Sequence, residues 1–265
     1  MTANTDLLDA LTALRAQAPL VHCMTNFVAM NVAANVVLAA GASPAMVHAP
    51  EEVQTFTPMA GALTVNIGTL SESWLTSMRM AAEAAGASDT PWVLDPVALF
   101  ITPWRMQAAR DLLALKPAVV RGNASEILAL AGQAGAGKGA DSGDDVTDAI
   151  EAARALAKAK RCVVAVTGVR DFVTDGTRHV WISGGSPIMP RVTALGCALT
   201  ALVGAFVAVA PPFEGTVAAM TMFAEAGARA GEVAQGPGSF QVALLDALAN
   251  VTPEDLADGG RVEWA

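Results

Sequence analysis

The chain has 265 residues, 53% of them hydrophobic and only 15% charged, with 16 Lys and Arg against 25 Asp and Glu and a formal net charge of −9. That balance argues against a nucleic-acid partner and against an anionic membrane surface, since both need clustered Lys and Arg. So little charge leaves a large core and an exterior partly covered by subunit contacts, which predicts one domain over 1–265 and a homo-oligomer.

Three cysteines, Cys23, Cys162 and Cys197, are an odd number without Cys-x-x-Cys spacing. Neither a disulfide framework nor a zinc site is indicated, and a reducing cytoplasm is expected. The first residues carry Asp6 and Asp9 where an export signal would carry bases. Two uncharged runs, Ala16 to Pro50 and Val192 to Phe213, have the length of membrane spans. The first is interrupted by Pro19, His22, Asn26, Asn31, Asn35, Gly41 and Pro44, and the second is rich in Ala, Gly and Thr. Both therefore read as buried core.

Taken in order, Asp6 to Ala16 predicts an amphipathic helix with Leu7, Leu8, Leu11 and Leu14 on one stripe. Leu20 to Met24 is a buried strand, after which Thr25-Asn26 would cap a helix running to about Ala40 and stopping at Gly41. Strands are expected at Ser43 to Val47, Ala62 to Asn66, Trp92 to Asp95, Ala118 to Arg121 and Cys162 to Thr167. Helices are expected at Glu51 to Ala60, Ser71 to Ala85 and Pro103 to Leu115. This alternation calls for an α/β fold of three layers, a mainly parallel sheet covered by helices on both faces. Asp171 to Thr174 and Arg178 to Ile182 flank an Asp175-Gly176 turn and read as an antiparallel hairpin at the sheet edge. From Leu195 to Leu248 the pattern is helical, broken at Pro211-Pro212 and at Gln235 to Gly238.

Near the start of that last region, Pro190 to Thr193 is extended, a small-residue turn follows, and an uncharged helix begins close to Cys197. Free N–H groups and the positive end of the helix dipole at such a turn can hold a transferring phosphate, with Gly196 allowing close approach. The same field would favour a thiolate at Cys197, making it a weak base or a polar guide for a hydroxyl. Cysteine is also a common small core residue, and that plainer reading stays open here.

Gly132 to Gly139 nearly matches a P-loop but fails on context. Gly139 offers no hydroxyl after Lys138, the preceding segment reads as helix, and Asp141, Asp144 and Asp145 follow. More informative are the polar strand ends: Asp95-Pro96, Arg121-Gly122-Asn123-Ala124-Ser125-Glu126 and Thr167-Gly168. A parallel sheet brings them to one edge, giving an acid pair for hydrated magnesium, an arginine for phosphate and small residues for a nucleotide. Each also has an ordinary reading: Asp95 as turn former, Asn123 and Glu126 as a capping box, Arg121 as a solvated charge.

Asn123-x-x-Glu126, Asp95-Pro96, Thr167-Gly168 and the glycine turn before a helix together resemble the ribokinase-like kinases. More closely, seven stretches in order along nearly the whole chain resemble the hydroxyethylthiazole kinase family. They are Pro19 to Asn26, Gly41 to Pro44, Asn66 to Leu70, Leu94 to Val97, Arg121 to Asn123, Val192-Thr193 with Gly196-Cys197, and Gly236 to Phe240.

The resemblance implies transfer of the γ-phosphate of ATP, with magnesium, to the hydroxyethyl group of 4-methyl-5-(2-hydroxyethyl)thiazole in thiamine salvage. It implies that Cys197 stands where most ribokinase-like kinases carry an aspartate base. Asn26, the Met46 backbone and Ala194 would line the thiazole pocket, Arg121 and Thr167 would contact ATP, and Asp95 and Glu126 would act on Mg2+ through waters. A homotrimer with sites between subunits is implied as well.

Two departures stand out: Ala194-Leu195-Gly196-Cys197 where the family usually has Gly-x-Gly-Cys, and Ala98-Leu99-Phe100 where relatives often have Gly-Ala-Gly. Both narrow the expected acceptor site, leaving a kinase of another heteroaromatic alcohol or a non-catalytic thiazole-binding relative as alternatives. A dehydrogenase is disfavoured, because no Gly-x-Gly-x-x-Gly follows the first strand.

Overall fold

The computed structural model describes residues 3–133, 143–258 and 260–265. From Ala134 onward, the near P-loop match lies outside the described residues. In chain order the elements are α1 Ala3–Gln17, β1 Leu20–Met24, α2 Met30–Ala40, β2 Ser43–Ala45, α3 Val53–Phe56, β3 Ala62–Asn66, α4 Glu72–Ala87, β4 Trp92–Asp95, α5 Pro103–Ala114 and β5 Val119–Asn123. There follow α6 Ala124–Leu130, α7 Val146–Lys160, β6 Val163–Thr167, β7 Arg170–Thr174, β8 His179–Ser183, α8 Leu195–Val207, α9 Pro212–Val233, α10 Pro237–Asn250, α11 Pro253–Asp258 and β9 Val262–Trp264.

The strands form one nine-stranded sheet in the order β2-β1-β3-β4-β5-β6-β7-β8-β9. The pairings from β2 through β6 are parallel, and those from β6 to β9 are antiparallel. Side chains alternate between two cores, as the two-residue period of a strand requires. Val21, Val93, Val163 and Ala165 face the core shared with α1, α2, α8, α9 and α10. Met24, Leu94, Val164 and Val166 face the core shared with α4, α5, α6 and α7. Burial on both faces explains why these strands read as continuous apolar runs.

Several expected boundaries move, each for a local reason. Thr25 does not cap α2: its Oγ1 has no partner, while Asn26 Oδ1 accepts from the amides of Val28 and Ala29 and makes a turn that delays the helix to Met30. The helix expected over 51–60 is α3 followed by a 3-10 turn, Thr57–Met59, with Pro58 inside it. β2 ends at Ala45, so Met46 and Val47 leave the sheet as a strap. β9, too short to show a period of its own, covers the hairpin's outer strand.

The apolar α8 packs across β1, β3 and β4. Every residue from Ala198 to Val207 is buried, and Leu202 and Phe206 are wholly so. Burying side chains of that size contributes about 1.5–3 kcal/mol each. The approach depends on Gly204, where an added Cβ would lie 2.3 Å from Thr64 Cγ2 and 3.2 Å from Val21 Cγ1. Gly204→Ala is therefore expected to lower stability by about 1–3 kcal/mol through overpacking, and an unchanged urea midpoint would contradict this account of the α8 contact.

Candidate active site

The parallel strands bring their carboxyl ends to one edge, and the polar residues expected there do gather on it. Asn66 and Asp95 are paired in register at the tips of β3 and β4, as are Asn123 and Thr167 at the tips of β5 and β6. The chain runs from β1 outward to β2 and then back across to β3. Connections leave β1 and β3 in opposite directions, which opens the crevice where ligands bind in such sheets. Asn26 follows β1 at this crevice, and the N-terminus of α8 lies above it.

A chain of side-chain contacts crosses the edge. Asn26 Nδ2 donates to Cys197 Sγ at 3.3 Å and to Asn66 Oδ1 at 2.8 Å. Asn66 Nδ2 donates to Asp95 Oδ2 at 2.6 Å, and Thr200 Oγ1 donates to the same oxygen at 2.7 Å. Arg121 Nη1 stands 3.7 Å from Asp95 Oδ2, and Arg121 Nη2 donates to Thr167 Oγ1 at 2.6 Å. Far from being a solvated charge, Arg121 is buried, and its Nε has no partner. Its guanidinium lies against Gly196, where a Cβ would come within 2.9 Å of Nη1. The first N–H groups of α8 have no side-chain cap, so arginine and helix terminus together form a basin for an anion.

Met46 follows β2 and Ala194 precedes α8. Met46 opens the strap after β2, which His22 holds through Nε2–H to the Val47 carbonyl at 2.7 Å. Ala194 precedes α8 in the left-handed region at φ 63°, and Ala98 has φ 53°. Both stand where glycine is expected from the sequence, as does Phe100, the third such departure. A left-handed alanine costs about 1–2 kcal/mol, a cost that glycine at these positions would not carry.

Burial dominates the protonation states. Cys197 is pushed up to about 11, first by burial and then by the negative charge of Asp95, so it is a thiol and not the thiolate its helix position suggested. Asp95 is raised by burial against the opposing pull of Arg121. Glu126 is pushed from 4.5 to about 7 by burial and by Asp95. Glu126 also completes the capping box: Oε2 accepts from the Asn123 amide at 2.8 Å, while the Glu126 amide donates to Asn123 Oδ1 at 2.9 Å. Its Oε1 accepts from the Ala98 amide at 2.8 Å.

The donor set suits a magnesium ion that keeps its waters. Among the described residues no cluster of three His, Cys, Asp or Glu could enclose a cation. Asp95 Oδ1, however, is a buried acceptor without a partner. One or two carboxylates plus substrate phosphates are the usual protein share of a magnesium shell.

Sequence reasoning missed Asn66, Thr200 and Arg105. Thr200 lies three residues after Cys197, a spacing that puts both on one helix face and was available as a signal. Arg105 sits in the first turn of α5, where the dipole disfavours a cation. It is buried and donates to the carbonyls of Ile67, Val97 and Ala98, tying the loops after β3 and β4 together.

Burial of Glu126 makes the stability of the fold depend on pH. Its contribution to stability is complete below pH 4.5 and is lost as the pH rises through about 7, because the folded state must then bury a charge. Glu126→Gln removes that charge, so its unfolding free energy relative to wild type should shift in its favour by on the order of 1–3 kcal/mol from pH 4.5 to 8. A difference that does not change across this window in urea titrations would contradict the assignment.

Comparison with known proteins agrees with this geometry. Residues 11–254 match the model of the hydroxyethylthiazole kinase family. A hydroxyethylthiazole kinase from Roseobacter denitrificans is 62% identical over 249 residues, which cover 94% of this chain and 97% of that protein. The solved hydroxyethylthiazole kinase of Pyrococcus horikoshii OT3 superposes with a TM-score of 0.90 at 38% identity, covering 98% of each chain. The pyridoxal kinase of Staphylococcus aureus, solved with ADP, superposes with a TM-score of 0.60 at 16% identity, covering 79% of this chain and 87% of that one, so the fold is ribokinase-like. With matched residues spanning nearly its whole length, the chain belongs to the hydroxyethylthiazole kinase family.

Proposed function

We propose that this protein, acting as one kinase domain, transfers the γ-phosphate of ATP to the hydroxyethyl group of 4-methyl-5-(2-hydroxyethyl)thiazole, a step of thiamine salvage. The observation that carries the reading is the contact chain joining the Cys197 sulfur at the start of α8 to Asp95, Arg121 and Thr167 at the strand tips. The alcohol would lie near Asn26, the Met46 backbone and Ala194, and the nucleotide near Arg121 and Thr167.

Phosphoryl transfer asks mainly for alignment and charge neutralisation, with little covalent work by the protein. The acceptor oxygen bonds to the γ-phosphorus as the bond to the β-phosphate oxygen breaks, and the hydroxyl proton is released. Arg121 and the first amides of α8, at Gly196 and Cys197, stabilise the charge on the transferring group. Asp95 and Glu126 would hold a Mg2+ ion through waters, and that ion would supply further neutralisation. A neutral Cys197 orients the acceptor hydroxyl as a hydrogen-bond partner, and the hydroxyl proton leaves late, to an oxygen of the transferred phosphoryl group or to water, as suits a loose transition state in which little negative charge builds on the attacking oxygen.

An assay with ATP, magnesium and the hydroxyethyl thiazole, read by product mass, tests the reading, and a panel of other heteroaromatic alcohols tests the acceptor. Cys197→Ala should lower kcat by roughly 10²-fold or more with KM changed little, whereas Cys197→Asp should retain turnover because a carboxylate accepts the same proton. Full turnover in the alanine variant would remove the chemical role.

The acceptor site would be completed between subunits of a homotrimer in the cytoplasm. In support, Phe27 and Val28, next to Asn26, are 67% and 56% exposed, and Phe27 joins Trp74 and His48 in an aromatic group. Sedimentation is expected to give three chains per particle, and Phe27→Glu should shift the particle toward one chain. A monomeric wild-type enzyme with full activity would contradict the shared site.

A further inference from the structure

The sense of two buried amides is set by backbone donors. Asn66 Oδ1 accepts from the Gly68 amide at 2.9 Å, and Asn26 Oδ1 accepts from the amides of Val28 at 3.0 Å and Ala29 at 3.1 Å. A backbone N–H can only donate, so each carboxamide oxygen is held facing it and each NH2 group points the other way. Asn66 therefore gives an N–H to Asp95, and Asn26 gives one to Asn66 and one to Cys197.

A carboxamide has two donor hydrogens and two acceptor lone pairs. Asn26 spends all four on these contacts and has no polar capacity left for a ligand. Gly68 leaves the space, since a Cβ there would lie 2.5 Å from Asn26 Nδ2. Asn66 is the residue on which both ends depend: remove it and Asn26 loses its anchor while Asp95 loses one of its donors.

We propose that Asn66 is a positioning residue for phosphoryl transfer, holding one N–H on Asp95 directly and, through Asn26, another on the Cys197 sulfur. The carboxylate is thereby oriented with Oδ2 saturated and Oδ1 free. The sulfur keeps a lone pair tied to Asn26, which directs its remaining valence away from that amide. The effect on turnover rests on the kinase reading above, and the effect on the thiol does not.

Two measurements on the full chain test this. In Asn66→Leu, of similar bulk but without polar atoms, kcat should fall 10- to 100-fold while KM for the thiazole alcohol stays within about threefold. The Asn66→Leu/Cys197→Ala pair should lose less than the product of the single losses, because part of the Asn66 effect runs through sulfur. Without any substrate, alkylation of Cys197 by iodoacetamide, followed by peptide mass, should slow at least threefold in Asn66→Leu. The thiolate loses a donor there, and buried Cys23 and Cys162 serve as unreactive references.

Should Asn66→Leu fail to fold, Asn66→Asp keeps the volume and the acceptor for Gly68 while removing the donor to Asp95, and the same loss of kcat is expected. Full kcat in the folded variant, strictly multiplicative losses, or alkylation as fast as in wild type would each overturn the proposal. A wild-type chain that phosphorylates no thiazole would defeat the kinase reading while leaving the alkylation comparison to decide the thiol contact.

Discussion

Asp95 Oδ2 is the point at which the layers of this molecule meet. It takes a donor from β3 through Asn66, a donor from α8 through Thr200 and the charge of Arg121 from β5. A carboxylate with no solvent exposure is tolerable only when its neighbours compensate it, and these neighbours come from elements far apart in sequence. The requirement locks the start of α8 over the strand tips and so fixes where Cys197 stands. Gly204 serves the same end from inside α8, letting the helix settle onto β1 and β3.

Much of the fold was legible in the chain. The apolar runs at Leu20 to Met24, Ala62 to Asn66, Trp92 to Asp95 and Val163 to Thr167 are strands because a doubly covered parallel sheet demands unbroken apolar sequence. The hairpin at Asp175-Gly176 followed from turn chemistry. What stayed hidden was set by single side-chain contacts: the turn made by Asn26 that delays α2, the 3-10 turn at Thr57–Met59, and β9, whose pairing depends on a partner strand distant in sequence.

The site was legible as a set of residues and less so as chemistry. Asp95, Arg121, Thr167, Gly196 and Cys197 do converge, because parallel strands place their carboxyl ends together. The capping reading of Glu126 holds, since its two oxygens take the Asn123 and Ala98 amides, and the same carboxyl is pushed up by burial and by Asp95. The thiolate expected from the helix dipole gives way to burial, which a sequence does not display. Asn66 escaped notice as a working residue because a polar strand end reads like any other turn former until its partners are seen.

Phosphoryl transfer here requires the acceptor hydroxyl and the γ-phosphate to meet between the Cys197 sulfur and Arg121. A crystal structure with a non-hydrolysable ATP analogue, magnesium and the hydroxyethyl thiazole tests it most directly. The hydroxyl should lie within hydrogen-bonding distance of Cys197 Sγ, with the γ-phosphate on the first amides of α8. A hydroxyl bound away from that sulfur, or phosphates seated at another edge of the sheet, would contradict it.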